Sequence, residues 1–259
     1  MKEKALKTKT SEKESFVSAG MPCNPYLPGK EHMPDGEPHI FGDRLYVFGS
    51  HDEKRQIPMN YWGNNHGSIL ELGGEYYIFY HRNTNHNAFS RQGCLEKLQR
   101  SEDGLFSQAE ITSLGFSKEP FPSRKKIPAY TACLLQRKDM PAFIPYTFFE
   151  YSEKDPYIKD DENVSVPYIA NLCDGAMAGF RYVHFDGKET EVCAVVRSQK
   201  PGQLLLRIDG EAAGMIPLEA SDDWMPVVGS CRVRKEGAAQ VELITGEDTA
   251  VDFCAVWFM

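Results

Sequence analysis

The sequence has no excess of basic side chains and no long apolar run. Its 259 residues include 29 Lys and Arg against 37 Asp and Glu, which gives a formal net charge of -8. Because nucleic acids and anionic membranes are bound through surfaces rich in Lys and Arg, neither is an expected partner. Apolar runs such as residues 76–80 are far shorter than the roughly 20 residues that span a bilayer. The sequence therefore predicts a soluble protein.

Two further absences concern the N-terminus and the cysteines. Residues 1–20 are rich in Lys, Glu, Ser and Thr and lack the apolar core of a secretory signal, so we expect a disordered extension and a cytoplasmic protein. The seven cysteines include no C-x-x-C pair. An odd number of isolated cysteines favours reduced, mostly buried thiols over disulfides or a zinc site.

Two hairpins of the same layout occupy the first third of the chain. Their two-residue turns, Gly-Asp at 42–43 and Gly-Gly at 73–74, are of a kind favoured in tight hairpins. The turns are 31 residues apart, and aligning them pairs the segment LYVF with YYIF. A hairpin repeated at such a period is typical of β-propeller blades, with chance similarity as the alternative. In a propeller, Asp35 and His66 would hold equivalent positions before an inner strand and face a common axis.

The rest of the chain favours an all-β fold. From residue 38 onward, short apolar runs alternate with glycine-containing turns, and no long stretch has a helical period. Four late segments predict a jelly-roll-like β-sandwich: residues 192–197, 203–209, 238–244 and 250–258. The predicted domains are a disordered extension at 1–20, a partial propeller at 21–140 and the sandwich at 141–259.

Polar, turn-rich motifs surround both hairpins. Those around the first hairpin are NPYLP at 24–28, PDGEPH at 34–39 and GSHD at 49–52. Those around the second are NYWGNNHGS at 60–68, YHR at 80–82 and FSRQG at 89–93. In this order they resemble the first and last blades of glycoside hydrolase family 43, five-bladed propellers that act as β-xylosidases, arabinofuranosidases and arabinanases. The C-terminal part, with YIAN at 168–171, is similar to the carbohydrate-binding type of β-sandwich that often follows this propeller.

The resemblance implies roles for several side chains. Asp35 matches the general base, which in an inverting glycosidase activates water on the face opposite the departing sugar. His66 matches an axial histidine that lies by a bound metal ion or water cluster, so a calcium ion near His66 is allowed, although no cofactor is required. Arg91 matches an arginine that reaches the sugar pocket, while His51 and Asp52 are candidates for the pocket edge. The implied partner is a xylan- or arabinan-derived oligosaccharide.

The sequence departs from the family between these motifs. Only seven residues separate Asp52 from Asn60, where the family has three blades that supply a second aspartate and the glutamate acting as general acid. Glycoside hydrolysis generally needs two carboxylates, so we expect weak or absent activity. Glu37 is the nearest substitute acid, although a carboxylate bonded to loop amides is the simpler interpretation. Missing blades also leave open sheet edges, through which the protein could self-associate.

Three interpretations of function therefore stay open: a weakened xylosidase or arabinofuranosidase, a non-catalytic carbohydrate-binding protein, and a nonfunctional remnant of a deleted gene. Two local questions accompany them. Trp224 and Trp257 could form a binding platform on the sandwich or fill its core. For His81, Arg82 and His86 we expect exposed polar side chains on an Asn-rich loop rather than a metal cluster.

Overall fold

The computed structural model describes residue 24 and residues 37–41, 44–48, 67–85, 90–102, 104–139, 152–161, 164 and 166–259. These residues form strands and a single short 3-10 helix at Ala129–Thr131. The predicted all-β fold class is confirmed. Within the same ranges no helix has the length and apolarity needed to cross a membrane.

Both predicted hairpins are present. Strands β1 (Glu37–Phe41) and β2 (Arg44–Phe48) pair in antiparallel fashion. Strands β3 (Ser68–Leu72), β4 (Glu75–Asn83) and β5 (Arg91–Leu98) form a three-stranded antiparallel sheet, here called the blade sheet. The turn between β3 and β4 holds Gly73 and Gly74 at φ values of 62° and 81°. Only glycine adopts such angles without strain, which explains why this turn has two glycines.

A small aromatic core supports the blade sheet. Tyr77 and Phe79 of β4 are 6% and 1% exposed, and Leu95 of β5 is fully buried. The Phe116 ring lies 5.9 Å from that of Tyr77 and 6.0 Å from that of Phe79. Leu45 of β2 also packs against this cluster. Each buried aromatic side chain contributes roughly 1.5–3 kcal/mol through burial, so these aromatic residues hold the hairpins together.

The remaining strands form one large sheet. They are β6 (Phe121–Pro122), β7 (Ile127–Pro128), β8 (Leu134–Gln136), β9 (Tyr157–Lys159), β10 (Tyr168–Cys173), β11 (Met177–Asp186), β12 (Glu191–Ser198), β13 (Gly202–Ile208), β14 (Glu211–Leu218), β15 (Ser221–Cys231), β16 (Glu236–Thr245) and β17 (Ala250–Phe258). The main path runs in the order β6-β11-β16-β13-β14-β15-β12-β17-β10-β9. β7 pairs with β17, and β8 pairs with β11.

The large sheet curls so that its two halves face each other. β11 and β17 are far apart in the strand order, yet Phe180 and Phe253 approach within 6.3 Å between ring centroids. Phe185 and Phe258 approach within 4.9 Å. All four rings are fully buried in the main core. The predicted order of blade-like hairpins followed by a jelly-roll-like sandwich is confirmed.

The sandwich also includes strands that precede its predicted first residue. Strands β6, β7 and β8 lie within residues 121–136, ahead of the expected boundary at residue 141. The blade sheet is joined to this region, because Arg82 Nη1 donates hydrogen bonds to the carbonyl oxygens of Ala132 and Cys133, each at 3.1 Å. The backbone N–H of Ile158 in β9 also donates to Thr84 O at 2.8 Å. The division into domains stays a prediction.

Candidate functional site

The predicted site residues fall into two groups. Asp35, His51, Asp52 and His66 lie outside the described residues, so their proposed roles stay predictions. Arg91 is described: it begins β5, is partly buried and stands opposite Asn83 of β4 in the sheet register. The arginine is therefore held on a regular strand at the end of the blade sheet.

Asn24, the first residue of the NPYLP motif, is tied to the blade sheet. Its side chain is fully buried. The amide Nδ2 donates to Leu95 O at 2.8 Å and to Thr112 O at 3.1 Å, and Oδ1 accepts a hydrogen bond from Leu95 N at 3.0 Å. The backbone N–H of Asn24 donates to Ser113 O at 2.9 Å. The start of the motif that leads to Asp35 is thus fixed against β5, a contact that sequence reasoning missed.

Glu96 of β5 carries a buried carboxylate in the same region. Its oxygens accept hydrogen bonds from Thr112 N at 2.8 Å, from Thr112 Oγ1 at 2.6 Å, from the Tyr80 hydroxyl at 2.9 Å and from Asn24 Nδ2 at 3.0 Å. Burial raises the pKa of the Glu96 carboxyl. Since its oxygens already accept hydrogen bonds from neighbouring protein groups, Glu96 has a structural role in holding Asn24, Tyr80 and Thr112 together.

The expectation for His81 and Arg82 was wrong. Both belong to β4, and His81 is only 2% exposed. Besides its two carbonyl contacts, Arg82 donates from Nε to Cys94 Sγ at 3.3 Å. The Arg82 side chain is covered by the region around residue 132. His86 lies outside the described residues, and the described ranges contain no group of three metal-ligating side chains.

A cleft of about 690 Å³ opens at the end of the sandwich where β12 ends and β17 begins. We call it the first cleft. Its lining residues come from β9, β10, β12, β15 and β17 and from the adjacent loops: Glu153, Tyr157, Lys159, Ala170, Asn171, Arg197, Gln199, Asp222, Ala250, Val251 and Asp252. Most are polar or charged, and their spacing in the sequence gave no sign that they meet.

An arginine–aspartate pair organises the first cleft. Arg197 donates to Asp252 Oδ2 from Nη2 at 2.6 Å and from Nε at 3.2 Å. Asp252 Oδ1 also accepts a hydrogen bond from Asn171 N at 3.3 Å. The Arg197 guanidinium lies 4.9 Å from the Trp224 ring centroid and 5.6 Å from that of Tyr168, distances typical of cation–π contacts. The cation is consequently held in one orientation at the cleft wall.

Neither tryptophan fills the main core. Trp224 packs edge-on against Tyr168, with ring centroids 4.9 Å apart. Lys126 Nζ lies over the Trp257 ring, 5.0 Å from its centroid. Both are partly buried against a second apolar cluster that includes Tyr168 and Val195. Each tryptophan thus packs at the margin of a core cluster of the sandwich without being fully buried, and Trp224 also supports the first cleft through Arg197.

The first cleft has the features of a site for a small polar ligand. Clefts of roughly 300–1,000 Å³ are typical of small-molecule sites. Tyr157 offers an aromatic surface, and the exposed Gln199 and Asp222 offer an amide and a carboxylate. Amides and carboxylates bind hydroxyl groups through directed hydrogen bonds. This combination suits a saccharide, whose ring has both apolar C–H faces and hydroxyl groups.

Comparison with known proteins shows which proteins the chain is similar to. No family model matches it. A protein from Thermoclostridium stercorarium named xylosidase/arabinosidase is 44% identical over 173 residues, which cover 64% of this chain and 36% of the relative. The chain thus spans about a third of that relative's length.

Solved structures of similar shape include an arabinoxylan arabinofuranohydrolase of glycoside hydrolase family 43 from Bacillus subtilis, crystallised with cellotetraose. It has 16% identity and a TM-score of 0.45, and the match covers 94% of this chain and 50% of that protein. A family 6 carbohydrate-binding module from Clostridium cellulolyticum in complex with xylose has 16% identity and a TM-score of 0.42, covering 53% of this chain and 98% of the module. The sequence identity to the Thermoclostridium protein confirms the predicted relation, and the chain is a homologue of a xylosidase/arabinosidase.

Proposed function

We propose that this chain is a shortened xylosidase or arabinofuranosidase of glycoside hydrolase family 43 that binds xylan- or arabinan-derived oligosaccharides and hydrolyses them weakly or not at all. The observation that carries the proposal is the 44% identity to a xylosidase/arabinosidase of which the chain spans 36%. A shared sequence supports a shared class of ligand, and the seven residues between Asp52 and Asn60 support an internal loss of catalytic parts.

Weak hydrolysis follows from the number of carboxylates. An inverting glycosidase holds its acid and its base roughly 6.5–9.5 Å apart so that a water molecule fits between the base and the sugar. Asp35 is the carboxylate that matches the family's base, and the short segment after Asp52 has no room for the blades that carry the acid. The buried carboxylate of Glu96 is occupied by Thr112 and Tyr80. Proton donation to the leaving oxygen would therefore be poor.

The hydrolysis proposal is tested by rates on nitrophenyl xylosides and arabinofuranosides. We expect the chain and its Asp35→Asn variant to hydrolyse both substrates at rates near the uncatalysed reaction. A fast reaction that is abolished by Asp35→Asn would show that an acid is present, and would overturn the proposal of weak hydrolysis.

Saccharide binding is assigned to the first cleft. Its side chains Gln199 and Asp222 are exposed and can meet a ligand without rearrangement of the Arg197–Asp252 pair. Calorimetric titration with xylo- and arabino-oligosaccharides should give saturable binding that weakens in Asp222→Asn. The matched control is Glu219→Gln, an exposed acidic residue close by that does not line the cleft. Equal affinity in both variants, or no binding by the parent chain, would contradict the assignment.

Three further features belong to the same proposal. A calcium ion near His66, a cytoplasmic location and self-association through open blade edges follow from the sequence interpretation. Self-association is supported by β3, which among the described strands is hydrogen-bonded to β4 alone, although β1 also lies near it. Its Ile69 side chain is 50% exposed. Such an edge can pair with another strand.

A further inference from the structure

A second cleft lies at the opposite end of β12 from the first one. Its volume is about 360 Å³, and it opens between the β13–β14 turn and the segment that joins β15 to β16. We call it the second cleft. Its lining residues are Ile208, Asp209, Glu211, Ala212, Ala213, Arg232, Arg234 and Lys235.

Two arginines at the second cleft are free to meet a ligand. Arg232 and Arg234 are exposed, while Val233 between them is 5% exposed and packs against the main core. Because side chains alternate along an extended segment, burial of the middle residue directs both arginines to the same side. Neither guanidinium makes a hydrogen bond or an ion pair within the described ranges.

The acidic side chains of the second cleft do not neutralise these arginines. Asp209 forms an ion pair with Lys235 and also accepts a hydrogen bond from Gln240 N at 2.9 Å. Its pKa is lowered: burial acts to raise it, and the Lys235 and Gln240 hydrogen bonds outweigh that effect. Once Asp209 is paired with Lys235, the remaining charged groups that line the cleft are one carboxylate, Glu211, and the two guanidinium groups. A locally cationic surface is notable on a chain whose net charge is -8.

The rest of the second cleft suits a sugar ring. Ala212, Ala213 and the nearly buried Ile208 provide an apolar surface for C–H groups, and Glu211 can accept hydrogen bonds from hydroxyls. A guanidinium group binds a carboxylate through two parallel hydrogen bonds, which gives strength and a defined geometry. A ligand that unites a carboxylate with a hydroxylated ring would use every part of this surface.

We propose that the second cleft binds a uronic-acid residue of an acidic saccharide, with its carboxylate between Arg232 and Arg234. The choice of a saccharide rests on the proposed function, but the residues that line this cleft are different from those that line the first cleft. An acidic ligand bound here would let the sandwich distinguish charged from neutral polysaccharide chains.

The experiment titrates the full chain with glucuronic acid and with a glucuronate-bearing oligosaccharide, and follows binding by calorimetry and NMR shifts. Glucose and the methyl ester of glucuronic acid serve as uncharged probes. The test variant is Arg232→Gln with Arg234→Gln. The control is Arg207→Gln with Lys200→Gln, two exposed cations that do not line the cleft and whose loss changes the net charge equally.

We expect saturable binding of both uronates that weakens about tenfold or more in the test variant and is unchanged in the control. Melting curves of the two variants confirm that each is folded. The proposal is overturned if the uncharged probes bind as well as the uronates, if the test and control variants bind alike, or if inorganic phosphate competes as well as glucuronate, which indicates a non-specific anion site.

The same titrations separate this proposal from the proposed function. Neutral xylo-oligosaccharides report on the first cleft through Asp222→Asn, which should leave uronate binding unchanged. Uronate binding without neutral-saccharide binding would refute the first cleft alone, and the reverse result would refute the second cleft alone.

Discussion

Replacement of Asn24 by alanine should detach the NPYLP motif from the blade sheet. The Asn24 side chain is fully buried and exchanges hydrogen bonds with both the N–H and the carbonyl of Leu95, at 3.0 and 2.8 Å. It donates further to Thr112 O at 3.1 Å and to Glu96 Oε1 at 3.0 Å. Alanine would leave these partners without the amide in a space that is closed to water.

The expected cost can be worked from these contacts. An unsatisfied buried polar group costs roughly 1–3 kcal/mol. Glu96 Oε1 keeps its hydrogen bonds from the Tyr80 hydroxyl and from Thr112 N. The N–H and the carbonyl of Leu95 lose the amide as their partner, so at least these two groups bear the full penalty. We expect Asn24→Ala to lower the free energy of unfolding by about 2–6 kcal/mol.

Urea unfolding followed by intrinsic fluorescence measures this change. Gln99→Ala is the matched control, because it removes an exposed amide just after β5, and should alter the free energy of unfolding by less than about 0.5 kcal/mol. A loss below about 1 kcal/mol in Asn24→Ala, or an equal loss in the control, would show that the amide does not anchor the motif.

Two further predictions concern the blade sheet. Hydrogen bonds from Lys97 and Tyr77 lower the pKa of Glu75 from its ordinary value of 4.5 to about 2. The Glu75 carboxylate therefore contributes stability above pH 4.5 that is lost as the pH falls towards 2. Glu75→Gln should reduce the dependence of the free energy of unfolding on pH between 4.5 and 2, and an unchanged dependence would contradict this. Ile69→Lys should shift sedimentation equilibrium towards monomer, because it places a charge on the β3 edge strand. The same shift in Glu219→Lys, at an exposed position outside β3, would instead show a general effect of added positive charge.

The hairpins were predictable because their signals are local. A two-residue Gly-Gly turn with aromatic and β-branched residues on both sides requires little information from the rest of the chain, and the register Leu72 to Glu75 follows from the turn itself. β15 gave no such signal, since it contains Asp222, Asp223 and Pro226. It is a strand because Pro226 and its neighbours pair with β12, for example with Val195.

The first cleft could not be predicted for a related reason. Asn171, Arg197 and Asp252 come from β10, β12 and β17, and they meet only because β17 lies between the other two strands in the sheet. Each residue alone is an ordinary polar position on a strand. Strand order in a curled sheet depends on packing of the whole core, which no local pattern encodes.

The contacts between the blade sheet and the sandwich explain how a shortened propeller can keep an ordered sheet. Isolated two-stranded hairpins are marginally stable in water, and in the propeller that the proposed function implies, neighbouring blades would cover these strands. Here Arg82 donates to the Ala132 and Cys133 carbonyls, and Thr84 O accepts a hydrogen bond from Ile158 of β9. The sandwich thus provides contacts that neighbouring blades would otherwise provide. The proposed loss of the catalytic blades would therefore remove hydrolysis while leaving the sandwich and its two clefts intact.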